Sequence, residues 1–334
     1  MPALAVAGAL RAEGADVAFV GGERAEAELV PAAGYELHGI RVAGLDRRKP
    51  LRALRAMLLA ARAVVTSVRL LHSLRADAVM GGGGYVAGPV GLAAVLLRIP
   101  LVLTEADSHL GIANRLLAPF ARRVCLAFPI AGRAGSRYLV TGRPVPPPSV
   151  DRGAARARFG LADDDTVVLV FGGSLGARSI NHAAVEAFAD APFRVLHAAG
   201  ARDFPSLRAP GPHYDLREYV HELGDALLAS DLVVARSGGS IFEVAAHGRP
   251  AILIPYPAAA ADHQTANARW MEEGGAATVI PDAELTAERL RREVDALLGD
   301  PNRLAAMAAA SAALARPDAA REIARELLAA ARHR

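Results

Sequence analysis

Two glycine-rich segments have the composition of turns that bind phosphate groups. The segments 171–181 (FGGSLGARSIN) and 235–243 (ARSGGSIFE) each follow an apolar run and precede a helical pattern. Glycine lets backbone N–H groups approach an anion, and a helix N-terminus favours negative charge. Gly173 stands beside Ser174, whose hydroxyl adds a donor. The first segment lacks the G-x-G-x-x-G spacing of dinucleotide sites, so we expect it to bind a diphosphate; a plain strand-to-helix turn is the alternative.

Polar side chains in the second half could recognise a sugar nucleotide. Glu243 lies one helical turn into its segment and could bind a ribose diol, although a first-turn Glu also complements the helix dipole. The proline-punctuated stretch 255–267 places Asp262, His263, Gln264 and Asn267 close together. Amide and imidazole groups suit sugar hydroxyls, and a polar helix cap is the alternative. His263 has no second ligand at metal spacing, so we predict no metal site.

The first half contains two further candidates. Four consecutive glycines, 81–84, follow an apolar run and make an anion-accepting turn, or a loop kept small for close packing. Glu105 and Asp107 follow another apolar run, and either carboxylate could act as a general base. A solvated loop is the alternative for these two carboxylates.

Short apolar runs that alternate with helical patterns must position these residues. The predicted strands are 16–20, 37–42, 78–80, 101–104, 124–127, 138–141, 166–171, 193–198, 232–235, 251–254 and 277–280. Several are continuous Val/Ile/Leu runs, as expected for parallel strands buried on both faces. The alternation predicts βαβ units in a doubly wound α/β architecture, with ligands at the carboxyl ends of the strands.

A proline-rich stretch marks the predicted domain boundary. Four prolines occur within residues 142–148, which excludes a helix or a central strand. We therefore predict a first domain at 1–143, a linker at 144–152 and a second domain at 153–334. The Ala- and Arg-rich helices after Thr286 should cap the second domain, and the last of them could cross back to the first.

Composition and charge limit the classes of function. A chain of 334 residues suits two domains, and a net charge of +3 is too small to indicate nucleic acid as a partner. The single cysteine, Cys125, fits a reducing compartment, and we expect it to be an unreactive residue of the core. Neither a signal peptide nor a transmembrane helix is predicted, so we expect a cytoplasmic protein.

A basic segment is the candidate for peripheral membrane contact. Residues 47–75 contain eight Lys or Arg side chains, no acidic residue and many apolar ones. Basic amphipathic helices bind anionic lipid surfaces. We therefore expect this segment to lie on the inner leaflet of the cell membrane; a solvated helix packed on the sheet is the alternative.

These segments, in this order, resemble the MurG family of peptidoglycan N-acetylglucosaminyltransferases. The matching stretches are 2–7, 24–31, 83–89, 111–117, 172–177, 236–243 and 262–267. The resemblance implies the GT-B fold, with two Rossmann-like doubly wound domains that face a cleft. The acceptor would bind in the first domain and the UDP-sugar in the second.

The resemblance also implies a role for individual residues. Ser174 and Gly173 would contact the diphosphate, Val220 the uracil through its backbone, and Glu243 the ribose. The other donor-site positions would be Gly239, Ser240, His263, Gln264, Asp107 and Arg143. The acceptor or its lipid would meet Gly83, Gly84, Tyr85 and Asn114.

The chain departs from the family pattern at several places. It begins at a proline, Pro2, that in the family follows a first strand and a glycine-rich loop ending in histidine. Without that strand we expect a gap in the first sheet, and we favour a misplaced start codon over a damaged copy. The expected catalytic histidine is absent, which leaves Glu105 as the catalytic candidate. Asp107 replaces an amide, and Pro146 replaces an arginine for which Arg143 could substitute.

The implied reaction is the inverting transfer of N-acetylglucosamine from UDP-N-acetylglucosamine to lipid I, which gives lipid II. No metal or redox cofactor is implied, because helix N-termini can stabilise the departing UDP. The alternatives are a GT-B transferase with another lipid acceptor, and a non-catalytic UDP-sugar-binding protein. A sugar-nucleotide epimerase shares the architecture but should not need the basic amphipathic surface.

Overall fold

The computed structural model describes residues 2–22, 26–40, 42, 50–173, 175–259 and 262–332, with backbone only for 50–58. The chain forms two compact units. Unit 1 comprises Met1–Val145 with Pro317–Arg334, and unit 2 comprises Pro146–Arg316. The change from one unit to the other after Val145 falls inside the proline-rich stretch.

Unit 1 alternates helices with short strands. Its elements up to the boundary are α1 (Pro2–Ala12), β1 (Ala18–Gly21), α2 (Glu26–Ala32), β2 (Glu36–Gly39), α3 (Pro50–Ser73), β3 (Val79–Gly81), α4 (Gly84–Leu96), β4 (Leu101–Glu105), α5 (Ile112–Leu117), β5 (Arg123–Leu126) and β6 (Tyr138–Val140). The core lies between β3–β5 and the helices α3 and α4, and it includes the buried side chains of Leu71, Val90, Leu101 and Leu103.

The strands of unit 1 form two separate parallel sheets. One sheet pairs β1 with β2, and the other has the order β3-β4-β5-β6. In the doubly wound order a strand would lie between β1 and β3. The described strands of unit 1 thus form two sheets where the doubly wound order has one; that the first strand of the family pattern is missing stays a prediction.

Unit 2 has one continuous sheet. Its elements are α6 (Arg152–Arg158), β7 (Val167–Phe171), α7 (Arg178–Ala187), β8 (Arg194–Ala198), β9 (Tyr214–Arg217), α8 (Leu223–Ala229), β10 (Leu232–Ala235), α9 (Ile241–Ala246), β11 (Ala251–Leu253), α10 (His263–Glu273), β12 (Ala277–Val279), α11 (Ala287–Leu298) and α12 (Pro301–Leu314). The sheet is parallel throughout, in the order β12-β11-β10-β7-β8-β9. This is the doubly wound arrangement, with the reversal of strand order between β7 and β10.

Apolar patterning explains the central elements of unit 2. Every residue of β7 and of β10 is buried, as their continuous apolar runs predict. On α7 the small or branched residues Ile180, Ala184 and Ala187 face the core, where Phe188 packs edge-on against Phe193. The predicted strands agree with the observed ones to within a few residues, but β9 was not predicted, because its sequence Tyr-Asp-Leu-Arg is half charged.

The last helix, α13 (Ala319–Ala331), needs a correction to the predicted domain bounds. It belongs to unit 1, not to the unit formed by the rest of residues 153–334. Its apolar face, with Ile323 and Leu327, packs in one cluster with Val6 of α1 and Cys125 of β5. A helix with one apolar stripe must bury it, and the open face of the first sheet accepts that stripe. The helix thus crosses back to the first unit.

Cys125 is part of that buried cluster. Burial raises the pKa of its thiol to about 12, and the carboxylate of Glu326 adds to the rise. A thiol that stays protonated and inaccessible is unreactive, so the interpretation of Cys125 as inert core agrees with the structure.

Candidate functional site

The two predicted phosphate-facing segments lie side by side in unit 2. β7 and β10 pair in parallel with Phe171 beside Ala235, so the turns that follow them start at the same edge of the sheet. Ligands of doubly wound sheets bind at this edge, at the point where the strand order reverses. The structure therefore brings residues 172–173 and 175–177 together with residues 236–240 where a ligand is expected.

Close backbone packing requires the glycines of the first turn. Gly173 and Gly176 have φ of +94° and +78°, which residues with a side chain rarely adopt. A Cβ on Gly176 would collide with the carbonyl oxygen of Ala199, and a Cβ on Gly200 would collide with the backbone of Gly176. The turn is thus held against the segment that follows β8. Ser174 lies outside the described residues.

The start of α7 offers an anion its backbone donors. Within the described chain no side chain caps the helix at Ala177, and its first turn carries no acidic residue. The first N–H groups of a helix have no partner inside it, and they carry the positive end of its dipole. Because α7 begins directly after the glycine turn, the predicted diphosphate contact is sterically and electrostatically reasonable here.

Arg236 joins three loops of this edge. Its Nη1 donates to the carbonyl groups of residues 254–255 at 3.1 and 3.2 Å and to Asp282 at 2.6 Å. Its Nη2 donates to Ser179 Oγ of α7 at 2.8 Å, and its guanidinium lies over the ring of Tyr256. No role of its own was predicted for Arg236 from the sequence. An arginine that directly follows a buried apolar strand is the signal that could have found it, because a buried charge needs partners.

The loop predicted to read the sugar folds back onto the second glycine turn. Gln264 Oε1 accepts the Tyr256 N–H at 3.0 Å, and Ser237 Oγ donates to the Gln264 carbonyl at 2.7 Å. A Cβ on Gly238 would lie 3.9 Å from Gln264 Nε2, so the side-chain amide of Gln264 faces this turn. Asn267 is buried and donates to the Ser237 carbonyl at 2.9 Å. It therefore supports the turn from inside.

Asp262 and His263 introduce α10 at the same loop. Asp262 has a left-handed backbone with φ of 53° and accepts from Thr265 Oγ1 at 2.6 Å. Non-glycine residues in this region carry strain that clusters at ligand sites. His263 is the first residue of the helix. A role for His263 and Gln264 in binding sugar hydroxyls stays a prediction.

The region around Glu243 is tied to the start of unit 2. Gly239 and Ser240 precede α9, and Glu243 stands in its first turn. The Glu243 carbonyl accepts from Nδ1 of His247 at 2.7 Å, and His247 Nε2 accepts the Ser149 N–H at 3.1 Å. Burial lowers the pKa of His247, against the opposing effect of its bond to the Glu243 carbonyl. The ribose contact of Glu243 stays a prediction.

Val220 follows β9 at the carboxyl edge of the sheet. Its side chain is buried, and its neighbours Tyr219 and His221 form an edge-on ring pair with centroids 5.0 Å apart. The backbone of residues 218–222 is therefore held by the buried side chain of Val220 and by the ring contact between Tyr219 and His221. The uracil contact of Val220 remains a prediction.

A buried polar network lies behind the first glycine turn. His197 Nδ1 is 2.8 Å from the Tyr214 hydroxyl, and Nε2 is 3.0 Å from Asn181 Oδ1. Asn181 Nδ2 donates to the Ala199 carbonyl at 2.9 Å and to Asp203 at 3.1 Å. Burial lowers the pKa of His197 to about 4, so the imidazole is neutral at neutral pH. This network was not predicted from the sequence, in which a histidine inside an apolar strand is its local sign.

Glu105 in unit 1 holds a loop. It is mostly buried; Oε2 accepts the Gly111 N–H at 2.8 Å and Asn114 Nδ2 at 2.9 Å, and Oε1 accepts the Asp107 N–H at 3.2 Å. These contacts fix residues 106–111 at the start of α5. They favour a structural role, and general-base catalysis by Glu105 or Asp107 stays a prediction.

Asn114 and the glycine turn adjoin in unit 1. Asn114 is fully buried and also donates to the Thr104 carbonyl at 2.9 Å. Its Oδ1 has no hydrogen-bond partner among the described residues. Gly83 and Gly84 both have positive φ, and a Cβ on Gly83 would lie 3.6 Å from Asn114 Nδ2. Tyr85 is exposed. The acceptor contacts predicted for Gly83, Gly84, Tyr85 and Asn114 stay predictions. Arg143 is half-buried after β6, and its donor contact also stays a prediction.

The predicted basic segment is only partly described. Residues 47–49 lie outside the described residues, as do the side chains of Arg52 and Arg55. The remainder of α3 buries Ala63, Ser67 and Leu71 against the core. Exposed positions on the helix include Arg62, Arg69 and Val65. No helix in the described ranges is long and apolar enough to cross a membrane.

An exposed apolar surface lies on the adjacent helices α4 and α5. These helices pack closely, because a Cβ on Gly91 would contact Leu117. Their outer positions, with the turn after α5, expose six large apolar side chains: Tyr85, Leu92, Leu96, Ile112, Leu116 and Phe120. We call this set the α4–α5 apolar surface. Clusters of exposed large apolar side chains commonly mark contact with a partner or a membrane.

Comparison with known proteins identifies the family. Residues 1–126 match the Glycosyltransferase family 28 N-terminal domain, and residues 167–323 match the Glycosyltransferase family 28 C-terminal domain. A UDP-N-acetylglucosamine–N-acetylmuramyl-(pentapeptide) pyrophosphoryl-undecaprenol N-acetylglucosamine transferase of Rubrobacter xylanophilus is 45% identical, over 98% of this chain and 99% of its own. The chain belongs to the MurG family.

Other relatives agree with MurG family membership. A transferase of the same name from Desulforudis audaxviator is 42% identical, over 95% of this chain and 91% of its own. The crystal structure of Acinetobacter baumannii MurG superposes with a TM-score of 0.81 at 30% identity, covering 98% of this chain and 95% of that one. These findings confirm the predicted GT-B type.

The epimerase alternative shares only the fold. A UDP-GlcNAc 2-epimerase from Neisseria meningitidis superposes with a TM-score of 0.68 at 15% identity, covering 98% of both chains. Architecture alone therefore does not separate epimerases from MurG family members; the sequence matches do. Within the described residues, no three His, Cys, Asp or Glu side chains form a group that could hold a metal ion.

Proposed function

We propose that the chain transfers N-acetylglucosamine from UDP-N-acetylglucosamine to undecaprenyl-pyrophosphoryl-N-acetylmuramyl-pentapeptide. This reaction converts lipid I to lipid II in peptidoglycan synthesis. The observation that carries the proposal is the 45% identity over 99% of a transferase of this name. The switch-point site of unit 2, with its two glycine turns and the Gln264 loop, supports a sugar-nucleotide donor.

The transfer is a single displacement with inversion. An acceptor hydroxyl attacks the anomeric carbon, the bond from that carbon to the UDP oxygen breaks, and the hydroxyl proton passes to a base. Negative charge develops on the departing diphosphate, where the N–H groups of the 172–177 turn and of α7 would stabilise it. In this scheme Gly173, Gly239 and Ser240 lie near the phosphates, Glu243 binds the ribose, and Gln264 with His263 binds the sugar.

The lipid-linked acceptor places the reaction at a membrane surface. We infer peripheral attachment through unit 1 to the cytoplasmic face of the cell membrane. Exposed Arg62 and Arg69 on α3 and the α4–α5 apolar surface, next to exposed Arg98 and Arg115, support this inference. Apolar side chains enter the interface, while basic ones attract anionic lipids. A nucleic-acid partner is not part of the proposal, since the net charge is only +3.

Sedimentation with vesicles tests the membrane contact. Vesicles of phosphatidylglycerol and phosphatidylcholine should pellet the protein, and pure phosphatidylcholine should pellet less of it. A variant with Leu96→Ser, Leu116→Ser and Phe120→Ser should remain in the supernatant, while the exposed control Arg292→Gln in unit 2 should pellet like the parent chain. Equal pelleting of all three proteins would contradict the inferred surface.

Ligand binding and transfer test the function. UDP-N-acetylglucosamine should raise the melting temperature more than UDP-glucose or GDP-mannose. A ligand at 100 times its Kd adds about 2.7 kcal/mol of stability. Radiolabelled sugar should then pass to a lipid I analogue. Stabilisation without transfer to lipid I would favour another acceptor or a binding-only protein, and a folded chain that ignores all UDP-sugars would overturn the proposal.

A further inference from the structure

One buried carboxylate in unit 2 gathers two exposed guanidinium groups. Asp203 is 2% exposed, whereas Arg178 and Arg202 are 70% and 52% exposed. The Nε atoms of Arg178 and Arg202 lie 3.3 and 3.2 Å from Asp203 Oδ1. The hydrogen bond from Arg202 is the main factor that lowers the pKa of Asp203. The carboxylate is therefore ionised and orients both guanidinium groups.

The arginine pair flanks the first glycine turn. Arg178 is the first residue of α7, two positions after Gly176. Arg202 lies two positions after Gly200, whose backbone packs so closely on Gly176 that neither glycine could carry a side chain. The two guanidinium groups therefore meet at Asp203, one from the start of α7 and one from the segment after β8, whose backbone packs on the turn.

The hydrogen bonds of the buried network next to Asp203 allow one assignment of donors and acceptors. Asn181 Nδ2 donates to the Ala199 carbonyl and to Asp203, so Asn181 Oδ1 must accept from His197 Nε2. His197 Nδ1 then accepts from the Tyr214 hydroxyl. Each donor has an acceptor, and the chain of bonds ends on Asp203. A fully satisfied buried network holds one geometry, so it fixes the carboxylate that orients the arginine pair.

The charges of this cluster do not balance. Two guanidinium groups share one carboxylate, which leaves a net charge of +1 beside a turn that already offers N–H groups and a helix N-terminus. The two cations repel one another, and each has an Nη1 group for which no bond is recorded in the described structure. Guanidinium groups bind phosphate oxygens with short, charge-assisted hydrogen bonds. An anion at the turn would relieve the repulsion and use these donors.

We propose that Arg178 and Arg202 bind the diphosphate of the sugar-nucleotide donor, and that Asp203 is the positioning residue that holds both guanidinium groups beside the glycine turn. This inference rests on the proposed function, because it assigns a further contact to the same donor. The glycine turn supplies backbone donors to the phosphates, and the arginine pair supplies the opposing charge.

Calorimetric titration of UDP into the full chain tests the arginine pair. The double variant Arg178→Gln/Arg202→Gln should bind UDP about tenfold more weakly or worse, since a charge-assisted bond is worth more than one power of ten. Its affinity should also depend less on NaCl concentration. Uridine, which has no phosphate, should bind both proteins equally in ligand-observed NMR. The control is Arg292→Gln, an exposed arginine on α11.

Wild-type UDP affinity in the double variant would overturn the inference, and so would an equal loss of uridine binding. A parent chain that binds no UDP would instead overturn the proposed function. The variants are compared only where Trp270 fluorescence and circular dichroism show a native fold.

The isosteric change Asp203→Asn separates positioning from simple charge. It raises the local net charge from +1 to +2, so electrostatics alone predicts tighter UDP binding. Positioning predicts weaker binding by several-fold, because the guanidinium groups lose the partner that orients them. Tighter or unchanged UDP binding by a folded Asp203→Asn variant would refute the positioning role.

Discussion

The two glycine turns, 81–84 in unit 1 and 172–177 in unit 2, occupy equivalent places after a parallel strand but differ in their support. The turn in unit 2 follows a central strand of an unbroken six-stranded sheet, beside a second turn after the neighbouring strand. The turn in unit 1 follows β3, an edge strand of a four-stranded sheet. The turn in unit 2 therefore follows a strand that is paired on both sides, whereas the strand before the turn in unit 1 is paired on one side in the described structure.

Polar side chains around the turns show the same difference. Behind the unit 2 turn, Asn181, His197 and Asp203 form a network in which every donor has an acceptor. In unit 1, Asn114 supports Glu105 but has a buried Oδ1 with no partner among the described residues. A satisfied network rigidifies its surroundings, whereas a partly satisfied one costs free energy. The first glycine turn of unit 2 therefore has a fully satisfied polar support, whereas Asn267, which supports the second turn, has a buried Oδ1 with no partner in the described part of the chain, as Asn114 has.

A glycine-to-alanine change in each turn should produce the largest difference in stability and UDP binding between the two units. Gly176→Ala forces a Cβ into the Ala199 carbonyl, so we expect loss of measurable UDP binding and a much less stable unit 2. Gly84→Ala also has a positive φ but meets no atom within 4 Å, so it should cost only about 1 kcal/mol. Urea unfolding and UDP titration of both variants measure this contrast. Equal damage in the two variants would contradict it.

Removal of the Arg236 guanidinium should give the next largest effect. Arg236→Met removes the hydrogen bonds to Asp282, to Ser179 and to the carbonyl groups of residues 254 and 255, and at about 1 kcal/mol for each bond the loss should reach about 3–5 kcal/mol. Trp270, the one tryptophan of the chain, lies on α10 and reports the unfolding of unit 2 by fluorescence. The exposed variant Arg292→Met serves as the control. A midpoint within experimental error of that control would refute the role of Arg236 as the link between the donor loops.

A lower pH should reduce the free energy of unfolding of unit 2, because His197 is buried in its neutral form. Its pKa is about 4 in the folded chain and 6.5 in a model peptide, so the unfolded chain takes up a proton first as pH falls. The free energy of unfolding should be fully present above about pH 6.5 and should fall toward pH 4, by roughly 3 kcal/mol from this residue. Urea titrations at several pH values, followed by Trp270 fluorescence, measure the slope. The variant His197→Gln should show a shallower slope, and an identical slope would contradict the prediction.

The smallest effect should come from Asn114→Ala in unit 1. The change removes two hydrogen bonds, to the Thr104 carbonyl and to Glu105, at a cost of about 1–2 kcal/mol. Asn114 is a predicted acceptor contact beside Gly83, so KM for the lipid acceptor should rise. UDP is expected to bind at the glycine turns of unit 2, so its Kd should stay unchanged. Steady-state kinetics with a lipid I analogue measure the first, and calorimetry the second. A parallel loss of UDP affinity would show that the two units are not independent in this respect.

Local sequence patterns were sufficient to predict most of the secondary structure and its α/β architecture. Continuous apolar runs predicted β7 and β10, and the glycine turns after them were expected at the ligand edge. The edge strand β9 was not predicted, because a half-polar strand of four residues shows no clear alternation of apolar and polar residues. The predicted bounds kept the last helix with the second domain, and its crossing to the first was only one alternative, since its apolar stripe shows that it packs but not on which surface.

The sequence by itself determined the parallel α/β architecture, the glycine turns and the family, because these depend on residue types at short spacing. The tertiary structure alone decided which polar side chains converge. Asn181, His197 and Asp203 meet across separations of 16 and 22 positions, and Arg236 reaches Ser179 and Asp282 across 57 and 46. Such contacts form only when the strands pair in one register, and no local pattern records that register.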